Sequence, residues 1–146
     1  VASGASWRAL TTGHYRSAAT NATDAWSCGI AFDGAAFCWG SDASGLGLLG
    51  AGGAPQSSPS PLPLAEAGPW KGISAGDGFT CALKADGSAW CWGSNAAGAL
   101  GCGQAAEALP WAAAPCRVES ADSWLQVAAG VTAACGIKAN GSLWCW

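Results

Sequence analysis

Basic residues are scarce. Lys and Arg together number six in 146 residues, against nine Asp and Glu, with one His and no Met. A nucleic-acid surface needs clustered cations to displace phosphate counterions, and a net charge of −3 with no basic cluster argues against one. The one histidine, His14, supplies neither a Ser-His-Asp relay nor the paired ligands of a zinc clip. No apolar run approaches membrane-spanning length and no signal-peptide pattern opens the chain, so no membrane insertion is expected within this segment. The glycine run 45–53 leads into proline-rich sequence rather than a helix, which fails the context of a dinucleotide loop. The Asp-Gly turns do not gather the six oxygens of a calcium site. Neither a cofactor, a metal nor a catalytic residue is expected, and the chain does not read as an enzyme.

A charged fraction of 10% beside ten Trp residues also excludes disorder. What fills the chain instead is a repeated phrase. In the stretch 70–101 a Trp is followed by an apolar residue three later, a Gly, and a Cys eleven after the Trp. An alternating run, a tight turn at Asp86-Gly87, and a second Cys followed by Trp-Gly complete it. The stretch 124–146 restates the phrase with Cys135 falling 54 residues after Cys81, and Cys28 lies 53 residues before Cys81 in the first copy. Self-similarity at this period sets the architecture before any local propensity does. The chain divides into repeat one over 1–54, a Pro/Ser connector over 55–69, repeat two over 70–109, a connector over 110–123 and repeat three over 124–146.

Eight cysteines fall at 28, 38, 81, 91, 102, 116, 135 and 145 without a CxxC, which favours disulfides in an oxidising compartment over zinc ligation or free core thiols. Three pairs are ten residues apart, each enclosing a turn that ends in glycine at Gly34, Gly87 or Gly141. A three-residue loop of a type I turn plus a left-handed residue needs glycine in that last place. With this loop Lys84 pairs with Ser88, and counting outward sets Cys81 opposite Cys91 on a non-hydrogen-bonded rung, the closest kind. The same count pairs Cys28 with Cys38 and Cys135 with Cys145. Cys102 and Cys116 take the places of Ala51 and Leu62 in repeat one, and this joint gain predicts a fourth bond between them.

Trp7–Gly13 aligns with the strands that open the other two repeats and is expected to be a buried strand. Ten extra residues then precede Cys28, read as a surface insertion that carries the glycosylation sequon Asn21-Ala22-Thr23. A second sequon, Asn140-Gly141-Ser142, occupies a tight turn, where Asn140 either carries a glycan or only serves the turn. The run from Pro59 to Pro63 is extended, with its last residues forming an edge strand ahead of Trp70. A helical turn fits Gln104–Ala108, and Trp111, outside the repeat pattern, packs under its connector or contacts a partner. Repeat three stops at Trp146 where the phrase calls for glycine and a further turn, and the chain opens at Val1, as expected of part of a longer protein.

This phrase resembles the RCC1 repeat, named for the regulator of chromosome condensation. The match is carried by Gly76, Leu83, Asp86-Gly87, Trp92-Gly93-Ser94-Asn95, Gly98 and Leu100-Gly101. Such repeats usually build seven-bladed β-propellers, so the resemblance implies an all-β fold of about three antiparallel blades in an incomplete ring. The cysteine pairs are more similar to extracellular versions of the repeat, as in the ectodomains of Crinkly-type receptor kinases. Fold does not set function. Relatives include a nucleotide-exchange factor, whose nuclear role conflicts with four disulfides, a β-lactamase inhibitor and an ultraviolet-B receptor. The photoreceptor's Gly-Trp-Arg-His-Thr motif is missing, since Ser6-Trp7-Arg8-Ala9-Leu10 lacks its Gly, His and Thr.

The function expected is a non-enzymatic extracellular interaction or structural module of a larger secreted or cell-surface glycoprotein. Ala/Gly richness, low charge and Ser-Pro segments suit a wall or surface-filament (flagellar hair) component. The alternatives are a ligand-binding receptor ectodomain and, less favoured, an enzyme inhibitor. Open blade edges need partners, either other blades of the same polypeptide or neighbouring subunits, together with an extracellular protein partner.

Overall fold

The computed structural model describes residues 6–18, 21–54 and 57–146. These form eleven strands: β1 (Trp7–Arg16), β2 (Thr23–Ala31), β3 (Ala36–Gly40), β4 (Ser58–Pro63), β5 (Trp70–Ala75), β6 (Phe79–Lys84), β7 (Ala89–Ser94), β8 (Trp111–Arg117), β9 (Trp124–Ala129), β10 (Ala134–Lys138) and β11 (Leu143–Cys145). They make three antiparallel sheets in simple sequence order, β1–β4, β5–β8 and β9–β11. The fold is all-β among the described residues: propeller blades in an incomplete ring.

Each central hairpin is built by its turn. Gly87, at φ 86°, donates its N–H to the Lys84 carbonyl, and the Asp86 carboxylate accepts from the Ser88 N–H and hydroxyl. Lys84 then pairs with Ser88, which brings Cys81 opposite Cys91 with their Cα atoms 4.1 Å apart. The same register joins Cys28 to Cys38 and Cys135 to Cys145. Cys102 and Cys116 are also bonded. Cys116 faces Cys91 at the position where Leu62 faces Cys38 in the first blade, so the extra bond ties the outermost strand of blade two to its glycine loop.

Both stretches read as connectors supply the fourth strand of a blade, β4 and β8. Pro59, Pro61 and Pro63 give β4 an outer edge with few N–H donors, which discourages pairing with another chain. Residues 55 and 56 of that connector lie outside the described residues. Ala105 accepts from the N–H of Ala108 and of Leu109, forming the expected helical turn. Trp111 sits on β8, paired with Ser94 and 36% exposed.

Two expectations are corrected at the amino end. The strand opening at Trp7 is not a buried one: apart from Gly13 its residues alternate between half-buried and exposed, whereas Trp70 and Trp124 are covered. The cover on those two comes from the preceding blade, and among the described residues no sheet precedes β1. The ten-residue insertion is not simply a surface loop either. It lengthens β1 and β2 into a ladder that runs out to Arg16 paired with Thr23. Tyr15-Arg16 and Thr23-Asp24 contain no breaker, so the backbone hydrogen bonds continue past the usual end of the blade. Residues 19 and 20 are outside the described residues.

The core lies between blades rather than inside each one. One buried cluster joins Trp26, Ile30, Leu48 and Leu49 of the first sheet and its loop to Trp70, Ala82 and Trp92 of the second. A second joins Phe79, Leu83 and Leu100 to Trp124, Val127 and Ala134. A blade therefore buries its apolar face only by having a neighbour, the logic of a repeat protein.

Candidate interaction surface

The recurring tryptophans hold successive blades together. Trp92, after the second cysteine of blade two, is fully buried and donates its indole N–H to the Leu48 carbonyl of blade one at 3.1 Å. Trp146 repeats the contact one blade on, donating to the Ala99 carbonyl at 3.0 Å. The indoles pass over Gly50 and Gly101, where an added Cβ would lie 2.7 Å from the Trp92 or Trp146 ring. Backbone contacts run in parallel: the N–H groups of Trp70 and Trp124 donate to the carbonyls of Gly34 and Gly87, the turn glycines of the blade before. Trp39 is the same position in blade one. It is half-buried, beside Trp7 at 5.9 Å between ring centroids, and among the described residues no preceding blade offers it a loop to dock on.

The opposite end is also open. All three residues of β11 are exposed, and among the described residues no fourth strand pairs with it. Beside it lies a cavity of about 320 Å³ lined by Gly101, Val118, Trp124, Lys138, Trp144 and Trp146. Lys138 lies 4.1 Å from the Trp144 ring centroid and 5.4 Å from that of Trp124, with its Nζ 2.9 Å from an Asp122 oxygen. Blade two carries the identical clamp, Lys84 over Trp90 and Trp70 with Glu66 as its carboxylate partner. Each amine is desolvated between two ring faces, where the quadrupole and the acid replace water. Blade one has Ala31 at this position, leaving Trp7 and Phe37 edge-to-face at 5.8 Å with no lysine between them.

The buried carboxylates are engaged in holding loops. Asp24, with 0% exposure, accepts from the Ser41 hydroxyl and the Ala43 N–H through one oxygen and from the Ser44 N–H through the other. Burial by itself would raise its pKa, but these hydrogen bonds outweigh it and hold the group below the ordinary value. Asp42 accepts from the N–H groups of Leu46 and Leu48, shaping the glycine loop that receives Trp92. Burial pushes Asp42 up despite those bonds, and the like charge of Asp24 adds to the rise. Asn95 does the same work in blade two as a neutral amide, accepting from the Leu100 N–H and donating to the Leu109 carbonyl.

Replacing Asp24 by Asn is expected to cost about 2 kcal/mol near neutral pH, since N–H donors lose a charged acceptor while Asp42 gains a little from the lost repulsion. A depressed carboxylate contributes stability above its ordinary value of 3.8 and loses it as pH falls through the folded-state value. The gap between parent and variant in urea melts should therefore close at strongly acidic pH. A gap that stays constant down to acid would contradict the assignment.

Of the residues singled out from sequence, the cysteines gather as four bonds, while Asn21 and Asn140 lie at opposite ends of the molecule's loops. Asn21 closes the turn at the end of the long β1–β2 hairpin at φ 58°, its side-chain oxygen accepting from Arg16 Nε and Nη2. Asn140 sits at the third hairpin turn, its side-chain oxygen accepting from the Ser142 N–H and hydroxyl. His14 is exposed on β1. The lysine clamps were not anticipated. Tryptophan and glycine were expected to serve blade-to-blade packing and turns, but the particular carbonyls that the indoles reach were not foreseen. The signal for both was present, since Lys84 and Lys138 stand three after their cysteines and Gly50 and Gly101 recur at one place in the phrase.

The regulator of chromosome condensation (RCC1) repeat matches residues 33–83, and a second form of that family matches 70–104. RCC1 repeats occupy residues 33–104 of the chain. Its RCC1 fold is shared with human WBSCR16, with TM-score 0.69 and 21% identity over 83% of this chain and 30% of that one. Prp20p from Saccharomyces cerevisiae, described with its binding to Gsp1p and histones, gives TM-score 0.68 and 18% identity over 90% of this chain and 30% of its own. The entire ectodomain of the Physcomitrella patens receptor kinase CR4 gives 0.59 and 18% over all of this chain and 31% of that one. The chain thus spans about a third of the length of each of these solved structures. No curated protein matches it.

Proposed function

We propose that this RCC1-repeat chain is a non-enzymatic interaction and structural module of a larger secreted or cell-surface protein. The observation that carries the reading is the pairing of a stapled hairpin in every blade with open docking parts at both ends, Trp39 at one and β11 at the other. Disulfides persist in oxidising compartments, which supports an extracellular setting. Asp24, Asp42 and Asn95 have their polar atoms engaged by loop backbone, which supports a scaffold role for the polar interior. The partners are other blades of the same polypeptide or neighbouring subunits, and an extracellular protein. The Ala/Gly-rich, weakly charged composition with its Pro/Ser strand favours a wall or surface-filament component. The second reading, a receptor ectodomain, draws on the fold shared with the CR4 ectodomain.

The test is sedimentation of the secreted, disulfide-intact chain over a wide concentration range. A structural element self-associates, and Leu143→Lys, which puts a charge on the exposed β11 edge, returns it to monomer. A chain that stays monomeric throughout, or whose association ignores Leu143→Lys, sinks the edge-mediated reading. Capture of one soluble ligand by that monomer would favour the receptor instead.

A further inference from the structure

We propose that Asn140 is an N-glycan acceptor and that its first sugar seats on the open face of Trp144. The inference draws on the module reading only for passage through a secretory compartment.

One turn occurs in three copies, with Asp33, Asp86 and Asn140 at the same place. In blade two the Trp90 indole N–H donates to the Ser88 hydroxyl at 2.9 Å, and that hydroxyl donates to an Asp86 oxygen at 2.7 Å. In blade three Trp144 donates to the Ser142 hydroxyl at 2.9 Å, and Ser142 donates to Asn140 Oδ1 at 2.6 Å. The geometry is the same with an acid or an amide, and blade one also uses an acid, Asp33, accepting from the Ala35 N–H. The turn therefore has no need of asparagine. What asparagine adds is Nδ2, which makes no hydrogen bond among the described residues, on an exposed tip followed by Gly141 and Ser142. Asn21 differs. Its backbone is left-handed, a conformation that favours asparagine over other side chains with a Cβ, so the fold explains that residue without a modification.

Transfer joins Asn140 Nδ2 to C1 of a lipid-pyrophosphate-linked oligosaccharide. The C1–O bond to pyrophosphate breaks, the lipid pyrophosphate leaves with the electron pair, and one Nδ2 proton passes to a base. After folding, the Asn140–Ser142–Trp144 relay sets the indole beside the new bond. Lys138 covers one face of the ring, yet Trp144 is 53% exposed. A pyranose presents an apolar face of C–H groups, which suits an uncovered indole face.

The experiment uses the chain secreted from a eukaryotic host that performs N-glycosylation. Peptide mapping after amidase release, which leaves Asp at a formerly occupied Asn, is expected to mark position 140, also in the Asn21→Gln background. The glycosylated protein is expected to melt about 2 °C or more above the released one. Asp86 shows that the Asp left behind still makes the turn. Trp144→Ala is expected to close this gap with occupancy unchanged, and Trp144→Phe to retain most of it. Asn140 found unmodified overturns the site. An equal gap in Trp144→Ala overturns the seating on the indole. Either result can occur while the chain is secreted and disulfide-bonded, so both remain separate from failure of the module reading.

Discussion

Trp92→Ala is expected to destabilise the chain by about 3–5 kcal/mol, the usual cost of removing a buried tryptophan. The side chain has 0% exposure and belongs to the cluster that joins the first two blades. Its removal opens a cavity lined by Leu48, Leu49 and Leu64 and leaves the Leu48 carbonyl without its indole donor. Neither blade can collapse into that space without breaking the hydrogen bond from the Trp70 N–H to the Gly34 carbonyl that joins them. Trp92→Phe is expected to recover most of the packing but not the hydrogen bond, leaving a loss of about 1–2 kcal/mol. Urea unfolding followed by circular dichroism measures both. A loss below about 1 kcal/mol for Trp92→Ala would show that the blades do not depend on each other through this residue.

The second large effect is expected from the hairpin bond of blade two. Replacing Cys81 and Cys91 together by Ala should cost about 3 kcal/mol, the loop-closure entropy of a bond spanning ten residues, plus the lost packing of two fully buried sulfurs. Blade three offers a contrast. Cys145 is exposed at the open edge, so the Cys135/Cys145 double replacement loses less packing and should cost less. Equal losses in the two blades would mean that burial around the sulfurs contributes nothing. The comparison is made by denaturant melts of each double variant under non-reducing conditions.

Much of each blade was legible in the residues because a hairpin is a local object. Gly87 in the left-handed region, Asp86 before it and Cys81 and Cys91 five residues out on either side all specify one register. The gain of Cys102 and Cys116 together pointed to their bond, because both are present in repeat two and both are absent from repeat one, where Ala51 and Leu62 stand. The placement of β1 was not legible in the same way. Trp7 aligns with Trp70 and Trp124, but its exposure depends on whether a blade packs over it, which no local pattern records. The extension of the first hairpin to Arg16 and Thr23 was missed for a related reason. Extra residues between an aligned tryptophan and its cysteine read as a loop unless their own alternation is given weight.

By itself the amino-acid sequence determined the repeat, the turns, the pairing of each central hairpin and the partners of every cysteine. These rest on steric limits at glycine, the two-residue period of a strand and the short reach of a disulfide, all of which act over about a dozen residues. Only the tertiary structure decided which tryptophan docks on which loop, that Lys84 and Lys138 lie clamped between rings, and that Asp24 and Asp42 share one buried corner. Those contacts join residues of neighbouring strands, loops and blades, and their energies come from water excluded where surfaces meet, a quantity that exists only once the blades are stacked.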